Sequence, residues 1–73
     1  MIFIPRVDEA ERFVRGLVPG AEAWFNRSTC GIQLSRYYDG RYIEVSHAEC
    51  WECGSVGEFH ELLHQKLIEE GWL

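Results

Sequence analysis

The sequence has few basic residues, little proline and no long apolar run. Seven Lys and Arg stand against twelve Asp and Glu, a net charge of −5, which disfavours direct binding to a phosphate backbone. No segment approaches the roughly 20 apolar residues of a transmembrane helix. Glycine-rich phosphate loops and nucleophile-elbow motifs are missing as well. The sequence therefore predicts a protein that is not an enzyme and that binds neither nucleic acid nor membrane directly.

Length and composition predict one small domain over residues 1–73. A chain of this size buries only about 60% of its unfolded surface, so it does not support two cores. Three Trp, three Tyr and four Phe supply the aromatic core that disordered chains lack. Three cysteines are an odd number, which argues against a secreted disulfide framework and for a reducing compartment. We therefore expect a cytoplasmic domain.

Hydrophobic periodicity predicts a first helix over about residues 6–17. Its apolar residues recur at the spacing of one helix face, with charged residues on the other side. Pro19 and Gly20 end it. Residues 1–4 are interpreted either as a short additional strand or as an apolar staple on the core.

A second helix is predicted near the end of the chain. Ser55 and Glu58 match a capping box, in which each residue satisfies a backbone amide of the other. Gly71 is expected to follow the helix, with Trp72 folding back on its last turn. The apolar stripe of this helix consists of Val56, Phe59, Leu62, Leu63 and Leu67.

The middle of the chain predicts three antiparallel strands. The first covers roughly residues 21–27, and Asp39-Gly40 indicates a two-residue type I′ hairpin turn between the next two. That turn pairs Tyr38 with Arg41, Tyr37 with Tyr42, Leu34 with Val45 and Ile32 with His47.

The order α-β-β-β-α predicts an α+β fold, a three-stranded antiparallel sheet with two helices on one face. Alternation along the strands separates the two faces of this sheet. The inner face carries Ile32, Leu34, Ile43 and Val45, and the open face carries Trp24, Tyr37 and Tyr42.

One cluster resembles a ligand set for zinc. Cys50 and Cys53 are followed by His60 and His64, and two histidines four residues apart share a helix side. The interval of six residues is shorter than the twelve or so of a C2H2 finger. The competing interpretations are a thiol redox pair and, favoured, structural thiols in a core without any cofactor.

Acidic residues concentrate in the second half of the chain. Residues 1–41 hold five acids and six bases, whereas residues 42–73 hold seven acids and one base. Such a half attracts a basic protein surface, although a solvated helix face is an equally good interpretation. Tyr42 and Trp51, the latter in an expected loop, are the apolar anchors of the predicted partner site. Its acidic members are Glu44, Glu49, Glu52, Glu58, Glu61 and Glu69.

In size, charge and element order the chain resembles the small acidic anti-CRISPR proteins of phages and mobile elements, in particular inhibitors of type I systems such as type I-C. These proteins share no common motif, so no residue role is carried over. The resemblance implies an inhibitor in a bacterial host that binds a basic surface of an RNA-guided surveillance complex and blocks target DNA as a DNA mimic. An antitoxin-like regulatory partner of another basic protein is the remaining alternative.

Overall fold

The computed structural model describes residues 3–36, 38 and 40–73. Within these residues it contains three helices and a three-stranded antiparallel sheet of order β1-β2-β3, which confirms the α+β class. The two predicted helices are present, and a short third helix was not predicted. The elements are α1 Val7–Leu17, β1 Ala21–Asn26, β2 Gly31–Arg36, β3 Tyr42–Val45, α2 His47–Trp51 and α3 Val56–Glu69.

The hydrophobic core lies between the helices and the inner face of the sheet. Phe3 packs its ring against Phe59, with the ring centroids 5.6 Å apart. Phe3 and Ile4 belong to no strand, so the described part of residues 1–4 acts as a staple. The predicted inner-face residues are all buried, together with residues of α1 and α3: Ile32, Leu34, Ile43, Val45, Ala10, Val14, Phe59, Leu63 and Leu67.

The register of the β2–β3 hairpin differs from the prediction by two residues. The Arg36 N–H donates to the Arg41 carbonyl at 3.2 Å, so the connection is longer than a two-residue turn. Tyr37 and Asp39, to which the predicted Tyr37–Tyr42 pair and the Asp39-Gly40 turn refer, lie outside the described residues. The predicted pairs Tyr38–Arg41, Leu34–Val45 and Ile32–His47 are wrong; the observed pairs are Ser35–Tyr42, Leu34–Ile43 and Ile32–Val45.

The short helix α2 ends β3 at Val45 and is incompatible with the predicted Ile32–His47 pair. Ser46 is its N-cap: the Ser46 side chain accepts from the Glu49 N–H, and the Glu49 carboxylate accepts from the Ser46 N–H, each at 3.1 Å. His47 is therefore helical and has no place in a strand. A shift of two residues leaves every side chain on its original face, so alternation alone does not distinguish the two registers.

Both ends of α3 are close to the prediction. The Ser55 side chain accepts from the Glu58 N–H at 3.2 Å, but the Glu58 carboxylate accepts from Gly54 rather than from Ser55. At the other end Gly71 has φ +73°, and the Trp72 N–H donates to the Leu67 carbonyl at 2.9 Å. This is a Schellman closure, and it buries the Trp72 ring.

Candidate functional site

The solvent side of α3 carries three exposed carboxylates. At 100° per residue, Glu58, Glu61 and Glu69 fall within an arc of about 80°. This arc lies opposite the buried side of the helix, which Phe59 and Leu63 define. These three glutamates are named the acidic α3 face. All three side chains are exposed.

The charges of α1 and its N-cap are compensated by ion pairs. Each arginine of α1 and its N-cap has an acidic neighbour, so this helix contributes little net field. By contrast, no ion pair among residues 3–36, 38 and 40–73 includes a glutamate of the acidic α3 face. The compensated pairs are Arg6–Asp8, Arg12–Glu9 and Arg15–Glu11.

The predicted site residues of α2 have three different environments. The Glu49 carboxylate lies 2.7 Å from the Lys66 Nζ, and the hydrogen bond from Lys66 holds the pKa of Glu49 below its ordinary value. Glu49 is thus committed to structure, since it also caps α2. Trp51 ends α2 rather than lying in a loop, and its side chain is 52% exposed. Glu52, the C-cap residue, is exposed.

Tyr42 and Glu44 lie on the open face of the sheet, away from the helices. The Glu44 carboxylate accepts from the Thr29 hydroxyl at 2.5 Å and from the Asn26 amide at 3.4 Å, which fixes it in place. The Tyr42 side chain is 62% exposed. Because α3 covers the opposite face of the sheet, the eight predicted partner-site residues do not form one surface.

The four residues of the alternative zinc site are not brought together. Cys50 is buried, and burial raises the pKa of its thiol to about 11. The Cys53 thiol donates to the Glu49 carbonyl at 3.6 Å. His60 turns toward α1, as described next, and His64 is exposed. Across residues 3–36, 38 and 40–73, no three His, Cys, Asp or Glu side chains are grouped as metal ligands.

His60 connects α3 to α1. Its ring stacks on Phe13 at a centroid distance of 4.2 Å, and its Nε2 lies 2.8 Å from the Glu9 carboxylate. This hydrogen bond is the main reason that the pKa of Glu9 lies below its ordinary value, with Arg12 as a smaller cause. His60 thus packs, half-buried, between the two helices.

An apolar groove of about 290 Å³ opens where α1 begins and α2 ends. Phe25 of β1 forms one wall of the groove, and its side chain is 57% exposed. The Trp51 ring forms another wall of the groove. The His47 ring is tilted against it, with the two ring centroids 5.8 Å apart. The sequence did not predict this groove, which is lined by Pro5, Val7, Phe25, Cys30, Ile32, His47, Cys50 and Trp51.

The fold and the site define a small α+β domain with an acidic helix face and no assembled ligand cluster among the described residues. No protein-family model matches the chain, and neither a search of curated proteins nor a search of solved structures finds a similar protein. None of the described helices has both the length and the apolar character needed to cross a bilayer.

Proposed function

We propose that this protein is a non-enzymatic inhibitor of anti-CRISPR type that acts in the cytoplasm of a bacterial host. Its acidic α3 face docks on a basic surface of a type I RNA-guided surveillance complex, such as type I-C, and competes with target DNA. The observation that carries the proposal is the contrast between this face and α1: the carboxylates of α3 have no cationic partner among the described residues, whereas those of α1 do.

The spacing of the carboxylates limits the kind of contact that this face makes. From Glu58 to Glu69 the helix rises about 16 Å at 1.5 Å per residue. Duplex DNA carries one charge per about 1.7 Å of its axis, so the same length of DNA presents about ten charges. The acidic α3 face therefore replaces only a few phosphates. We expect it to contact two to four basic side chains rather than the full length of a DNA-binding surface.

We extend the proposed docking surface to the end of α2. Glu52 and Trp51 are exposed and precede α3 by only a short turn. An exposed tryptophan beside carboxylates is a typical interface anchor, because it buries a large apolar area with few rotatable bonds. Tyr42 and Glu44 face the other way, and Glu49 is held by Lys66. We therefore assign the docking surface to Trp51, Glu52, Glu58, Glu61 and Glu69.

A gel-shift competition tests the proposal. Purified type I-C surveillance complex is mixed with labelled target DNA and increasing amounts of the protein, at two salt concentrations. The test variant is Glu58→Gln with Glu61→Gln. The matched control, Asp8→Asn with Glu22→Gln, has the same net charge but leaves the acidic α3 face intact.

Loss of the DNA shift at near-stoichiometric protein is the expected result, with weaker inhibition at high salt. The test variant should lose at least tenfold in apparent affinity, mainly through its association rate, whereas the control should stay within about twofold. Equal losses of apparent affinity in the two variants would show that net charge, and not the acidic α3 face, determines inhibition. Unimpeded DNA binding would exclude this competition and favour an antitoxin-like role toward another basic protein.

A further inference from the structure

The two edges of the sheet differ in whether other parts of the chain hydrogen-bond their outward-pointing backbone groups. On the β1 edge, side chains of α1 satisfy outward-pointing backbone groups. The Glu11 carboxylate accepts from the Ala23 N–H at 3.2 Å, and the Arg15 Nε donates to the Ala21 carbonyl at 3.0 Å. An edge covered in this way does not offer these groups to another strand.

The β3 edge has no such cover. The Arg36 N–H bonds the Arg41 carbonyl, so these two residues are a hydrogen-bonded pair. Such pairs occur at every second residue of an antiparallel strand, so Ile43 and Val45 also point their backbone groups toward β2. Tyr42 and Glu44 then point theirs outward. In the part of the chain that the structure describes, no hydrogen bond reaches the N–H or C=O of either residue. Beyond them the edge ends, because the Ser46 N–H is bound by Glu49.

We infer that a second copy of this chain pairs with the β3 edge. The pairing is antiparallel, with Tyr42 of each copy opposite Glu44 of the other and the two-fold axis at Ile43. The two outward residues of each copy carry one N–H and one C=O apiece, so this register joins them all in four hydrogen bonds between the copies. No edge group is left over, so a second copy is sufficient to satisfy this edge.

Side chains on the open face favour the same register. It places each Tyr42 ring directly opposite the aliphatic stem and carboxylate of Glu44 from the second copy. A shift of two residues that aligned Glu44 with Glu44 would oppose like charges, which is destabilising. The result is a continuous six-stranded sheet. This inference goes beyond the proposed function, because it concerns self-association through the β3 edge rather than docking on a basic partner.

Two variants at one position separate the backbone from the side chain. Tyr42→Ala removes the ring and keeps the N–H, whereas Tyr42→Pro also removes the N–H. Tyr42 is the first residue of an edge strand and its N–H points away from β2, so proline is tolerated there. Because both copies carry the change, the proline variant lacks two of the four bonds. Its association constant, measured by sedimentation equilibrium, should be at least tenfold below that of Tyr42→Ala.

Amide exchange in the unmodified protein provides a second measurement. Exchange of the Tyr42 and Glu44 amides should slow as protein concentration rises. The Phe25 N–H is the control, since it points outward on the β1 edge and has no partner among the described residues. Its exchange should not depend on concentration.

The dependence on salt distinguishes this inference from the proposed function. Each copy carries a net charge of −5, so added salt should strengthen self-association while it weakens docking on a basic partner. A monomer at all concentrations up to about 1 mM would overturn the inference. So would equal self-association of the proline and alanine variants, or protection of Phe25 instead of Tyr42.

Discussion

The left-handed backbone at Gly71, just after α3, can be tested by changing Gly71 to alanine. The same change at Gly16, in α1, serves as the reference. A Cβ built on either residue meets no atom of another part of the structure within 4 Å, so neither change to alanine creates a tertiary clash. The two differ in conformation: Gly16 lies in the last turn of α1, whereas Gly71 has φ +73°. The sign of the stability change should therefore follow from the backbone alone.

The expected magnitudes come from helix and left-handed geometry. Alanine in the left-handed region destabilises the folded state by about 1 to 2 kcal/mol. Alanine also lowers the conformational entropy of the unfolded chain, which offsets about 0.4 to 1 kcal/mol of that loss. Gly71→Ala should thus lower the free energy of unfolding by about 1 kcal/mol. Gly16→Ala should raise it by about 0.5 to 1 kcal/mol, because alanine is the better helix former.

Urea unfolding and thermal melts measure the difference between the variants. A gap of about 1.5 to 2 kcal/mol corresponds to roughly 10 °C in Tm for a domain of this size. Fraying limits the cost at Gly71, since the chain escapes the strain once Trp72 leaves the core. Exchange of the Trp72 amide, bonded to the Leu67 carbonyl, reports such an escape. Equal stability of the two alanine variants, without faster exchange at Trp72, would refute the reasoning.

Three further predictions concern the cap of α2, the acid limb of stability and the thiols. Ser46→Ala removes an N-cap side chain and should lower the free energy of unfolding by about 1 kcal/mol in urea titrations. The pKa of Glu9 is lowered in the folded state, so the unfolded chain binds more protons below about pH 4.5. The free energy of unfolding therefore decreases as the pH is lowered through this range. Glu9→Gln should make acid unfolding curves less steep in that range, and unchanged curves would contradict this assignment. Mass spectrometry after brief treatment with a thiol reagent at pH 8 should find exposed Cys30 modified first, and buried Cys50 only upon unfolding, since its pKa is about 11.

The helices were predictable because their signals are local. Periodicity and the cap residue Ser55 define α3, and they also place Glu58 and Glu61 on its wet side. The helix α2 carries an equally local signal, the Ser46–Glu49 capping box, but the same residues also continue the alternation of β3. The register error has a different source: the prediction assumed a two-residue turn at Asp39-Gly40, whereas the Arg36–Arg41 hydrogen bond requires a longer connection.

Tertiary contacts account for what the sequence could not predict. The ion pair between Glu49 and Lys66 joins α2 to α3 and removes a glutamate from the predicted partner site. Nothing near Glu49 in the sequence indicates this pairing. The groove likewise arises from segments far apart in the chain, since Val7, Phe25 and Trp51 meet only after folding. Composition predicted an acidic surface, and the fold decided which carboxylates form it.

The three tryptophans occupy three different environments, which gives the protein a built-in optical readout. Trp24 is on the open sheet face, Trp51 lines the groove at the end of α2, and Trp72 is in the core. The native emission spectrum should therefore already contain a solvent-exposed component, and unfolding should shift mainly the contribution of Trp72. Single-tryptophan variants would report separately on the open face, the end of α2 and the closure of the core.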